Sequence, residues 1–164
     1  RQIAEMKVDV PMLAMTHCDA SKLAKQHGKK SEYALCAAQW HKTLTYKDKF
    51  FGNGIKYDKD FNAEYGYTPP YQAAESSAAL LVWKDAFERA NSTDTEKVRD
   101  ALAKTDMQTF YGNIKFGSGG QNTAKPMVLF QVICDGDKCE NKVVAPTKWA
   151  SAKLVHPIPK WSER

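Results

Sequence analysis

Two short apolar runs, residues 8–15 and 33–38, stand on either side of a segment that Asp19 can cap and Gly28 can close. Runs this short and this continuous read as strands buried on both faces of a parallel sheet. With a helix from Asp19 through Gln26 between them, the pattern predicts a β-α-β unit. Residues 1–7 set Ile3, Ala4 and Met6 among charges and read as a helix already under way, so the chain is expected to be truncated at its N-terminus. The longest apolar stretches, 10–15 and 78–83, fall far short of the roughly 20 residues needed to span a bilayer. No basic start, apolar run and small-residue cleavage site opens the chain, so a secretory signal is expected to be absent or removed.

Beyond the β-α-β pattern the texture is helical. Tyr46, Phe50, Tyr57, Phe61 and Tyr65 recur at spacings of four and seven, which predicts an aromatic stripe on one helix, loosened or broken by Gly52 and Gly54. The stripe reads as core. Thr68-Pro69-Pro70 forces an extended turn, and a helix over 71–90 follows with Ala79, Val82, Trp83, Ala86, Phe87 and Ala90 on one face. Thr93-Asp-Thr-Glu96 has the form of a capping box for another helix, with Val98, Ala101 and Leu102 inward. After Thr105 the segments 110–116 and 127–133 read as strands, joined by Gly117-Ser-Gly-Gly-Gln-Asn122, and 141–145 continues the meander. The tail over 149–161, with Pro157 and Pro159, is expected to be extended or irregular.

With 43% apolar residues in 164, the chain can build one globular core. A net charge of +5 raises the question of nucleic acid, but apart from Lys29-Lys30 the basic residues alternate with acids, as in Tyr57-Asp58-Lys59-Asp60, and no nucleic-acid partner is expected. Four cysteines lean toward an oxidising compartment. Cys134-Asp-Gly-Asp-Lys-Cys139 puts two of them at either end of an Asp-Gly turn between strand-like runs, within reach of a disulfide. Free thiols and a metal are the alternatives, the metal being the weakest because no CxxC or HxxxH completes four ligands. No metal or cofactor is expected.

Several segments then converge on one family. Gly66-Tyr67-Thr68-Pro69 leads into Pro69-Pro-Tyr-Gln-Ala-Ala-Glu75 and a long helix; Phe110-Tyr-Gly-Asn-Ile-Lys-Phe116 follows, then a Gly-rich turn and Pro126-Met-Val-Leu-Phe-Gln-Val132. Val144-Ala-Pro-Thr-Lys-Trp149 and Lys153-Leu-Val-His-Pro157 close the chain. This order resembles the C-terminal part of the type I periplasmic solute-binding proteins of branched-chain amino-acid transporters. The resemblance implies a partial three-layer α/β/α fold of that type, ending in a β-hairpin segment. It places 1–40 and 106–164 in the second lobe and 41–105 in the first. It further implies non-catalytic binding of an amino acid or related small carboxylate or amide in an interlobe cleft, in the periplasm or outside the cell, for delivery to an ABC permease. The N-terminal half, absent from this sequence, would carry the groups that usually grip an amino acid's carboxylate.

Open α/β sheets bind ligands past the carboxyl ends of their strands, which directs attention to Thr16-His-Cys-Asp19. The resemblance points to the same loop, where family members often set an acidic residue against an amino group; here Thr16 or His17 stands instead. His17 is a ligand contact or an ordinary loop histidine. By the resemblance Trp40 lies where the chain crosses between lobes, as a stacking wall or a packed hinge aromatic, and Tyr71, with Gln72 beside it, faces the ligand or packs between lobes. Glu75, one turn further, can reach the cleft or simply favour the helix dipole. An enzyme would have to pair Cys18 or Cys36 with His17 or His41, yet no nucleophile elbow, P-loop or dinucleotide fingerprint is present. Cys18 and Cys36 can instead form a second disulfide. A sensory ligand-binding domain is the competing function, since one fold serves both roles. Half-lobes without their sheet partners expose strand edges, which predicts dimerisation, swapping or poor solubility of the truncated chain.

Overall fold

The computed structural model describes residues 1–16, 20–125 and 127–164. Along the chain the elements are α1 (Gln2–Glu5), β1 (Ala14–Thr16), α2 (Ala20–His27), β2 (Leu35–Ala38), β3 (Lys47–Asp48), β4 (Gly52–Asn53), α3 (Gly54–Tyr65), α4 (Tyr71–Ala90), α5 (Thr95–Ala103), β5 (Asp106–Gln108), β6 (Asn113–Lys115), β7 (Val128–Asp135) and β8 (Lys138–Ala145). They form two compact units, Arg1–Ala38 with Met127–Arg164, and Gln39–Pro126. Residues 106–126 thus fall in the helical unit, not with the sheet. The reason is local: Gln108 Nε2 donates to the Lys47 carbonyl at 2.9 Å, and the Phe110 amide donates to Asp48 Oδ2 at 2.6 Å.

The first unit is a mixed sheet in the order β1-β2-β7-β8, with β1 and β2 parallel and the other pairs antiparallel. The strand expected over 8–15 is confined to Ala14–Thr16. Among the described residues it has one neighbour, and Ala14 and Thr16 are exposed, so it stands at the edge of the sheet and is not buried on both faces. Pro11, which cannot donate to a ladder, precedes it. The core lies on β2 and β7, where Leu35, Cys36, Val128 and Val132 are buried. Cys134 and Cys139 face each other across β7 and β8 and are joined by a disulfide, as the spacing predicts. The Cys18–Cys36 pairing and the capping role of Asp19 fall on residues outside those described.

Gln131, in the middle of β7, is fully buried. Its Nε2 donates to the carbonyls of Tyr33 and Val155, at 3.1 and 3.0 Å, and its Oε1 accepts from the Val155 amide at 2.8 Å. One amide thereby fastens the irregular tail to the sheet. Further along, the Ile158 amide donates to the Pro11 carbonyl, and Trp161 donates to Asp9 and to the Val8 carbonyl.

The second unit is built on helices. The helix expected at 71–90 is observed over that span, beginning after Pro70 and ending on Asn91, whose φ of 44° is left-handed. Its buried residues are Ala74, Ala78, Leu81, Val82 and Ala86, whereas Trp83 and Phe87, expected on the inner face, are exposed and stack on each other at 5.7 Å. The aromatic stripe does not run on one helix. Residues 47–53 form a β3–β4 hairpin in which Asp48 Oδ1 accepts from the amides of Phe50 and Phe51, and Gly52 turns at a φ of 72°. Helix α3 starts only at Gly54, capped by Asn53, whose side chain accepts from the Lys56 amide. The cap of α5 is Asp94, which accepts from the Lys97 amide, and not Thr93. The strand expected over 110–116 shortens to β6 because residues 109–112 are a turn, with Thr109 and Gly112 exchanging backbone hydrogen bonds.

Candidate functional site

Phe110 is fully buried and organises the second unit. Its ring stacks on Tyr57 at 4.3 Å, lies 5.0 Å from Phe51, and meets Trp40 edge-on at 6.0 Å. Trp40 retains only 4% of its surface and gives its indole N–H to the Phe110 carbonyl at 3.4 Å. The structure thus places Trp40 inside an aromatic core. Burial raises the Tyr57 hydroxyl above its ordinary pKa, partly offset by its hydrogen bond to Ser77 at 2.9 Å.

Tyr71 and Gln72 open α4 in the same unit, Tyr71 half-buried and Gln72 exposed. Pro70 precedes them without a side-chain cap, and its carbonyl accepts from the amides of Ala73 and Ala74. An aromatic face beside an exposed amide side chain at a helix start is suited to a polar headgroup attached to an apolar body. Thr16 is exposed at the carboxyl end of β1, in the first unit. His17 lies outside the described residues. Among the described residues, no three His, Cys, Asp or Glu side chains are placed to hold a metal ion.

A cavity of about 730 Å³ opens between α4, α5 and the chain over 111–125. Its wall is largely apolar, from Ala78, Val82, Trp83, Leu102, Ile114 and Phe116. Glu75, Tyr111 and Lys125 supply polar groups. The Lys125 ammonium lies 4.3 Å from the centre of the Tyr111 ring and donates to the Gln39 carbonyl. Burial lowers the Lys125 pKa to about 8, against an opposing pull from the Glu75 carboxylate, and burial raises the Tyr111 hydroxyl. Gly112, with φ at 151°, makes the arrangement possible, since a Cβ there would collide with the Lys125 stem. Sequence reasoning assigned no role to Lys125 or Tyr111. The available signals were weak: a Gly within Phe110-Tyr-Gly-Asn, and a lysine just before β7.

A mixed α/β chain holding an apolar cavity with a few convergent polar groups has the build of a small-molecule binding protein. The chain belongs to the periplasmic binding protein family, whose sequence model matches residues 1–138. It is similar to a leucine-binding protein of Thermotoga maritima, with 22% identity and a TM-score of 0.68 over 90% of this chain and 43% of that one. It also matches the branched-chain amino acid transporter substrate-binding protein of Streptococcus pneumoniae in complex with isoleucine, at 16% identity and a TM-score of 0.66, over 88% of this chain and 40% of that one. A third likeness, at 12% identity and a TM-score of 0.70, is to the closed form of a leucine-, isoleucine-, valine-, threonine- and alanine-binding protein of Brucella ovis, over 96% and 42% of the two chains. These likenesses establish the fold, and the chain spans about two fifths of the length of each of these proteins.

Proposed function

We propose that the protein binds a small solute, an amino acid or a related small carboxylate or amide, without chemical change, and delivers it to an ABC transporter permease in the membrane. The family match over residues 1–138 carries this reading. The solved relatives support it, being described as leucine-binding or bound to isoleucine. The Cys134–Cys139 disulfide accords with a periplasmic or extracellular location. On this reading Tyr71 and Gln72 contact the solute, and Thr16 and His17 are further candidate contacts.

Binding to the native state raises the melting temperature by mass action. A thermal-shift screen against amino acids, amides, aromatic carboxylates and sugars is therefore expected to single out one class. Saturating solute should raise the midpoint by about 5–10 °C. Tyr71→Ala should remove that shift while leaving the unliganded midpoint nearly unchanged. No shift with any class, or a shift that survives Tyr71→Ala, would defeat this reading.

A further inference from the structure

Tyr71 and Gln72, which carry the solute-binding reading, do not line the 730 Å³ cavity. Lys125 brings a positive charge to that cavity, and the Glu75 carboxylate in the same wall acts on it through its field. Lys125 is half-buried, and its ammonium has one protein acceptor among the described residues, the Gln39 carbonyl. An ammonium has three N–H groups, so two remain open to water or a ligand among the described residues. No carboxylate lies within ion-pair distance of it among the described residues. Tyr111 is buried, with its ring against the Lys125 ammonium.

We propose that this cavity binds a small carboxylate with an apolar body, its carboxylate accepting from Lys125 and Tyr111, its body lying against Val82, Trp83 and Leu102. The chemistry of the wall selects the class. A strongly hydrated anion such as phosphate gains nothing from apolar walls, whereas an aromatic or branched acid desolvates its body there and keeps a charge-assisted contact at its head. The other charged groups in the wall are Glu75 from α4 and Arg99 from α5. Arg99 is occupied by Glu96 and Asp100 of its own helix. Glu75 is exposed and acts on Lys125 only through its field.

The test is calorimetric titration of the chain with 3-phenylpropionate and with its neutral counterpart, 3-phenylpropanamide. The acid should bind saturably and the amide at least about tenfold more weakly. Lys125→Met and Tyr111→Phe should each weaken the acid about tenfold and leave the amide unchanged. Affinity for the acid should also fall between pH 7 and 9.5 as Lys125 loses its proton, and Lys125→Met should flatten that profile. Equal binding of acid and amide, absence of saturable binding, or indifference to both substitutions would overturn the proposal. If Lys125→Met does not fold, Tyr111→Phe and the pH profile of the unaltered chain make the same decision. Tyr71→Ala should leave acid binding here intact, so loss of this site and loss of the Tyr71-dependent solute response are separately visible.

Discussion

The sheet unit and the helical unit solve the problem of order in opposite ways. In the first, order comes from backbone ladders: the β7–β8 ladder is closed by a disulfide at its turn, and Gln131 spends its whole amide on Tyr33 and Val155. In the second, order comes from aromatic rings packed around Phe110, and Lys125 and Tyr111 stand at the wall of a largely apolar cavity. A region held by ladders and a disulfide is suited to being a frame. A region that sets a few polar groups in an apolar wall is suited to receiving something.

This contrast can be broken experimentally. The largest effect is expected from Phe110→Ala, which removes the ring shared by Trp40, Phe51 and Tyr57 and should destabilise the second unit by about 3–5 kcal/mol. Hydrogen exchange should show protection lost in α3 and α4 and kept in β7 and β8; equal loss in both units would mean that they do not order separately. Gln131→Leu should cost about 2 kcal/mol, because the Tyr33 carbonyl and both polar groups of Val155 lose their partner. Here the exchange pattern should invert, with the Val155 amide exposed first and α4 untouched.

The smallest expected effect concerns pH. The folded pKa of Lys125, about 8, lies below its ordinary value of 10.5, so between those limits the unfolded chain binds more protons and stability must rise with pH. The clean window is about pH 8 to 10, because above it the raised pKa values of Tyr57 and Tyr111 act in the opposite sense. Urea midpoints measured across that window should climb in the unaltered chain and climb less in Lys125→Met.

What the sequence revealed followed from how local the determinants were. Helix α4 was legible to the residue because Pro69-Pro70 and Asn91 are stop signals that act within a turn. The disulfide was legible because an Asp-Gly turn sets Cys134 opposite Cys139. The aromatic stripe misled because residues 47–53 form a hairpin, which leaves Phe50 exposed and sets Phe51, outside the stripe, beside Tyr57 at 5.4 Å. Helical spacing does not encode the path of the backbone. Trp83 and Phe87 misled in the other direction, since helical periodicity identifies a face but not what covers it. Lys125 and Gln131 could not be valued from sequence at all. Their meaning depends on Gly112 and Val155, partners distant along the chain.

The pairing of Ala38 with Val128 carries one more consequence. The helical unit leaves the sheet at the end of β2 and returns at the start of β7, which are adjacent antiparallel strands, so covalently it is an insertion in the loop of a hairpin. A two-residue Asn-Gly turn joining those strands would close the same hairpin with nothing inserted. The sheet unit is therefore separable by a cut made at one point of its own architecture, and a gene encoding it alone would need to replace Gln39–Pro126 with no more than a turn.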